Sequence, residues 1–135
     1  MPSTCDTSVL LPGLQPSHTH HMLARHAVRA SVTALAAHVY AEAYARLTAN
    51  PGAGRLRPAQ AGQVLDSLSF ALLELPASAF VELVATLAAA GIPGGAIYDG
   101  IVAATAKHHG YRLLTLDHRA ARTYGAVGVD YELIG

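Results

Sequence analysis

Apolar positions along this chain alternate between short β-like runs and longer stretches with helical spacing. The stretch from about Thr4 to Leu11 contains Val9-Leu10-Leu11 and stops at Pro12-Gly13, which predicts a first strand closed by a turn, with Asp6 in or just after it. Met22, Leu23, His26, Ala27 and Ala30 then recur at helical intervals over His18 to Ala30. Ser31-Val32-Thr33 is read as a brief second strand. A helix is expected from about Leu35 to Thr48, with Leu35, Val39, Ala43 and Leu47 on one stripe and Glu42 beside it, ended by Asn50-Pro51-Gly52. Pro58 suits the first turn of the next helix, which runs through Val64, Leu65 and Leu68.

In the second half, Phe70 to Leu75 fits helix or strand, and the alternation of elements favours strand. Phe80, Leu83, Val84, Leu87 and Ala88 mark an amphipathic helix ending at Gly91. After the turn Gly91-Ile92-Pro93-Gly94-Gly95, a helix is predicted from Ala96 to His109 with Gly110 as its C-terminal cap. Tyr111 to Leu116 is the clearest strand, followed at once by Asp117. A short helix near Arg119 to Tyr124 and a strand over Val127 to Leu133 complete the pattern. Strands alternating with helices predict an α/β fold with a mainly parallel sheet, and 135 residues suit one domain spanning 1–135.

Composition narrows the function classes. The chain is 52% hydrophobic and 13% charged, which excludes a disordered chain. No apolar run reaches the roughly 18 residues of a membrane span, and the start lacks the order of a signal peptide. The single cysteine, Cys5, fits a cytoplasmic location, and a thiol in an apolar strand is expected to be inert. Net charge is zero, so a polyanion would be gripped locally rather than by bulk charge. Arginine outnumbers lysine eight to one, which favours bidentate phosphate contacts.

Four of the nine acidic residues occupy unusual places. Asp6 adjoins the first strand and Asp117 follows the clearest strand, at the sheet end where parallel folds bind ligands. Asp99 sits in the first turn of a helix behind a glycine turn. Glu42 lies among alanines and tyrosines. Each has an ordinary reading as well: an Asx turn for Asp6, a cap for Asp117, a dipole charge for Asp99 and a solvated face for Glu42. Drawn together, four carboxylates would resist ionising unless a cation joined them, and all-oxygen ligation suits Mg²⁺ or Mn²⁺.

The segments Cys5-Asp6-Thr7-Ser8-Val9-Leu10-Leu11, Val39-Tyr40-Ala41-Glu42, Gly94 to Ala106 and Leu113 to Ala120 resemble PIN domains and, more narrowly, the VapC toxins of bacterial toxin–antitoxin pairs. The likeness runs nearly end to end and includes Gly128-Val129-Asp130-Tyr131-Glu132-Leu133. It implies a three-layer α/β/α sandwich, Mg²⁺- or Mn²⁺-dependent cleavage of RNA, inhibition by a cognate antitoxin, and homodimerisation. By the same resemblance Asp6 and Asp99 match central metal ligands, Glu42 and Asp117 the remaining acids, Thr115 a supporting hydroxyl, and Ser8 a partner within the Asp6 turn. Relatives usually carry an apolar strand before the first Asp. Pro2, Ser3 and Thr4 stand there instead, so the first strand is expected to be short or shifted.

Arg119, Arg122, Arg25 and Arg29 are candidate phosphate clamps, with ordinary surface charge as the alternative. His18, His20, His21 and His26 lack nearby Cys or carboxylate partners and read as solvated loop and helix start rather than zinc ligands. Gly91 to Gly95 is not followed by the Lys-Ser/Thr of a phosphate loop. The six tyrosines are too scattered in sequence to predict a base-stacking platform, and most are assigned to core or interface. Two alternatives to a ribonuclease are a small-molecule phosphohydrolase, for which Ser8 stands where a second Asp is usual, and a catalytically idle PIN-like binding domain.

Overall fold

Asp6 decides how the chain begins. Its side chain accepts a hydrogen bond from the Ser8 amide (3.0 Å), the geometry of a helix N-cap, and the chain turns from extended to helical there. The structure, a computed structural model, describes residues 1–49, 52 and 54–135. Strand β1 (Ser3–Cys5) leads into α1 (Thr7–Leu14) and α2 (His21–Ser31), then β2 (Ala34–Ala36), α3 (Ala37–Ala49) and α4 (Pro58–Asp66). Next come β3 (Ala71–Leu73), α5 (Ala77–Ala89) and α6 (Ala96–His109). The chain ends with β4 (Arg112–Thr115), a 3-10 turn at His118–Ala120, α7 (Ala121–Val127) and β5 (Tyr131–Leu133).

Every strand pair is parallel: β1 with β4 (Cys5 opposite Leu114), β4 with β5, and β2 with β3. A bridge between Ser3 and Val32, with the Thr33 amide donating to the Ser3 carbonyl (3.1 Å), joins the two ladders in the order β3-β2-β1-β4-β5. Strand order therefore reverses between β1 and β4. Right-handed crossovers send α1–α4 to one face and α5–α7 to the other. Packing follows that division, with α1 on α2 and α3, α3 on α4, and α5, α6 and α7 on one another. This is the three-layer α/β/α sandwich, and its carboxyl-edge crevice lies where β1 and β4 deliver Asp6 and Asp117.

The core is aliphatic, with Leu10, Leu35, Leu47, Leu113 and the ring of Tyr124 fully enclosed. Gly100 lets α6 approach α5: a Cβ there would stand 3.1 Å from Leu83 Cδ1 and 3.2 Å from Leu87 Cδ1. Gly110 caps α6 with φ 74°, as its place after His109 predicts.

Several boundaries differ from the sequence reading; among them, α2 starts at His21 rather than His18, and α4 ends at Asp66, short of Leu68. Val9-Leu10-Leu11 is buried helix rather than strand, and Pro12 lies inside α1, which ends two residues later. A three-residue apolar run fits either state, and the Asp6 cap resolves it as helix. The second strand is Ala34–Ala36 rather than Ser31–Thr33, because α2 continues through Ser31. Leu35 belongs to that strand. β2 runs straight into α3, whose buried stripe is Val39, Ala43 and Leu47. Val127 closes α7 instead of opening the last strand. Asn50 and Pro51 of the expected helix stop lie outside the described residues. β1 is short, as Pro2-Ser3-Thr4 suggested.

Candidate active site

Asp6 is 95% enclosed, since only 5% of its surface is exposed, and four donors surround its carboxylate. Oδ1 accepts from the Ser8 amide (3.0 Å) and the Ser8 hydroxyl (2.5 Å). Oδ2 accepts from Thr115 Oγ1 and from the Tyr124 hydroxyl (2.6 Å). Burial pushes the Asp6 carboxyl above its ordinary range, and the Ser8, Thr115 and Tyr124 donors pull it back. The same burial, with Asp6 adjacent, pushes the Cys5 thiol far up, so the cysteine is an inert core residue.

The two hydroxyls also tie Asp6 to the end of β4. Ser8 Oγ accepts from the Leu116 amide (2.8 Å), and Thr115 Oγ1 accepts from the Asp117 amide (3.0 Å). Removal of either hydroxyl would leave both a carboxylate and a backbone amide short of a partner. Asp117 caps the following 3-10 turn by accepting from the Arg119 amide (2.9 Å). Its capping and site roles are therefore compatible.

Asp99 enters from the first turn of α6, half-buried, and its carboxyl is raised from 3.8 to about 6. Burial is the largest cause, followed by the charges of Asp117, Asp6 and Glu42, with His38 opposing. Glu42 enters from α3, with His38 Nε2 at 3.6 Å and Arg46 Nη1 at 3.8 Å. Four carboxylates from four elements thus line one open cleft of about 470 Å³. Among the described residues, no three Asp, Glu, His or Cys side chains close into a ready-made ligand cage. The four carboxylates offer an all-oxygen donor set, strongly acidic and mutually repelling. It fits a hydrated Mg²⁺ or Mn²⁺, which binds through one or two carboxylates and keeps several waters, and does not fit a closed zinc site.

The basic residues divide. Arg119 lines the cleft and its Nε lies 3.7 Å from Asp117 Oδ1. Arg122 does not reach the cleft: its guanidinium donates to the Ala90 carbonyl (3.2 Å) at the end of α5. Arg25 and Arg29 lie on α2 beside a separate cavity with Phe70 and Leu68. None of those three lines the cleft: helix spacing gave Arg25 and Arg29 a shared face but not where it points, and the place of Arg122 just past Asp117 did not show that its side chain turns to α5. Arg46, His18 and His20 were not expected at the site, yet all three line the cleft. Arg46 could have been found from its place one helical turn after Glu42. The loop that carries the histidines left no such signal. Tyr124 was also missed as a site residue. The usable clue was that a buried tyrosine needs a partner for its hydroxyl.

Comparison with known proteins identifies the family and the fold. The PIN domain profile matches residues 4–126. The chain is 39% identical to Ribonuclease VapC40 of Mycobacterium tuberculosis over 96% of each chain. It is 40% identical to Ribonuclease VapC27 of the same species, over 95% of this chain and 93% of that one. Among solved structures, VapBC2 from Rickettsia felis, bound to a promoter DNA fragment, superposes with TM-score 0.70 at 16% identity, covering 98% of both chains. FitAcB from Neisseria gonorrhoeae gives TM-score 0.68 at 19% identity, covering 95% and 94%. A four-carboxylate crevice at the strand-order reversal, a profile match over nearly the whole length and VapC relatives near 40% identity place this chain in the PIN-domain family.

Proposed function

We propose that this protein is a divalent-metal-dependent endoribonuclease toxin of the VapC type, held inactive by a cognate antitoxin. The observation that carries the reading is the convergence of Asp6, Glu42, Asp99 and Asp117 on one cleft, with the Asp99 carboxyl pushed up to about 6 partly by the other three charges. Relatives named ribonucleases support RNA as substrate, and the superposable VapBC2 structure supports an antitoxin partner. Exposed Phe80, Val81 and Val84 on α5 offer apolar surface to a second copy of the chain, in line with a homodimer. Among the described residues, no helix is long and apolar enough to cross a membrane.

Asp6 and Asp99 would hold Mg²⁺ or Mn²⁺, with Glu42 and Asp117 completing the acidic wall. When bound there, such a cation would lower the pKa of a water and offset charge building on the phosphoryl group. Ser8, Thr115 and Tyr124 favour the ionised form of Asp6 against its burial and fix it in place. Arg119 and Arg46 are placed to grip the phosphate backbone from the rim. Attack by water rather than by the neighbouring 2′-hydroxyl leaves 5′-phosphate and 3′-hydroxyl ends.

The test is to incubate antitoxin-free protein with total bacterial RNA and Mg²⁺ or Mn²⁺, beside an EDTA control and Asp99→Asn. Discrete fragments with 5′-phosphates, lost in both controls, are expected. No cleavage, together with metal binding that Asp6→Asn and Asp99→Asn leave unchanged, would defeat the assignment.

A further inference from the structure

Two aromatic rings stand next to the acidic cleft and serve no purpose in the core. His38, in the first turn of α3, and Tyr98, in the first turn of α6, lie with ring centroids 5.8 Å apart and planes only 5° apart. Tyr98 is 57% exposed, and among the described residues its hydroxyl has no hydrogen-bond partner. Of the other tyrosines, Tyr124 is enclosed and bonded to Asp6, Tyr40, Tyr111 and Tyr131 pack against the core, and Tyr44 is 42% exposed on α3 with no second ring beside it among the described residues. Tyr98 immediately precedes Asp99. His38 sits one turn before Glu42, and its Nε2 lies 3.6 Å from that carboxylate. The pair is therefore anchored to two of the four acids.

Phosphate contacts such as those available to Arg46 and Arg119 carry no information about the bases. An open aromatic face reads no particular base either, but it favours a base that has left its duplex, so it separates single strands from paired ones. Such a face beside a phosphodiester-cleaving site meets the bases flanking the bond to be cut. We propose that His38 and Tyr98 form a stacking platform that holds an unpaired base of single-stranded RNA beside the carboxylates. This rests on the ribonuclease reading. The tyrosines, scattered in sequence, do not form a platform among themselves. It is a histidine four residues before an acid that completes one.

The test measures binding separately from cleavage. In an Asp99→Asn background, which spares the probe, fluorescence anisotropy with Mg²⁺ present follows a labelled single-stranded RNA of about 12 nucleotides. The same measurement is made on its duplex and on an abasic ribose-phosphate chain of equal length. Adding Tyr98→Ala is expected to weaken single-strand binding about tenfold, leave the abasic chain unchanged and abolish the preference over duplex. Tyr98→Phe should stay within about twofold of the parent, and His38→Ala should follow Tyr98→Ala. Equal loss on the abasic chain, or no loss on RNA, would overturn the platform while leaving the nuclease intact. Unchanged RNA binding with an altered oligomeric mass would reassign the rings to a protein interface and overturn it as well. A parent protein that binds none of the RNAs would sink both the platform and the ribonuclease reading.

Discussion

Replacing Tyr124 with phenylalanine removes one oxygen from the most enclosed part of the site. The lost hydroxyl donates to Asp6 Oδ2 at 2.6 Å, and both partners are buried. A hydrogen bond to a charged acceptor contributes about 1.5–3 kcal/mol. Asp6 keeps three donors, from the Ser8 amide, Ser8 Oγ and Thr115 Oγ1, so the loss belongs in the lower half of that range, about 1.5–2 kcal/mol. The oxygen-sized gap adds little, being smaller than a methyl group. For a domain of this length the loss corresponds to a fall in Tm of about 5–7 °C. Thermal and urea unfolding in EDTA would measure it without interference from bound metal. The sign of the pH dependence also follows. Tyr124 is among the donors that lower the Asp6 pKa, so it favours the ionised carboxylate, and the gap between wild type and variant should narrow as acid protonates Asp6. A Tm within about 1 °C of wild type would refute this account. So would a gap that does not change with pH, since both outcomes make the residue a packing ring only.

Other outcomes follow from the same geometry. Asp99 has a folded pKa of about 6 against an ordinary 3.8, so the folded state holds the proton more tightly and ionisation destabilises it as pH rises between those values. Metal-free Asp99→Asn should therefore be more stable than wild type at pH 7, with the margin shrinking towards pH 4; a margin independent of pH would contradict the acidic cluster. Gly100→Val forces a branched side chain against Leu83 and Leu87, and chemical denaturation should show a loss of about 1–3 kcal/mol. Cleavage assays should show Arg46→Ala reducing turnover about tenfold, with Arg25→Ala and Arg29→Ala near wild type; the reverse order would return the phosphate grip to α2. Cys5 should resist iodoacetamide in the native protein and react on unfolding, as mass spectrometry would show.

What could be read in the sequence was what local chemistry determines. Gly110 after a helical stretch, Pro58 at a first turn and the Leu113-Leu114-Thr115 run each specify their own conformation, and each element formed where expected. The four acids could be singled out only as a set, because each alone has an ordinary reading, whereas four carboxylates drawn together are costly without a cation. Val9-Leu10-Leu11 could not be resolved, because three apolar residues fit strand and helix equally and the deciding contact is a side-chain cap from Asp6.

Residues whose roles depend on partners far away in sequence were the ones missed. Tyr124 meets Asp6 across 118 positions and Thr115 meets it across 109. A buried tyrosine needs a hydroxyl partner, but nothing in the local pattern points from Tyr124 to Asp6, whereas Thr115 was picked out only by resemblance. The arginines make the same point from the opposite side. Arg25 and Arg29 share a face by spacing alone, but α2 turns that face towards Phe70, and the cleft takes Arg46 and Arg119 instead. Periodicity places side chains around a helix axis. Only the order of the strands, reversing between β1 and β4, determines which faces meet at the crevice. The acidic wall was therefore legible from four carboxylates taken together and from the resemblance, and its basic and aromatic rim was not, because an exposed arginine, histidine or tyrosine carries no comparable penalty.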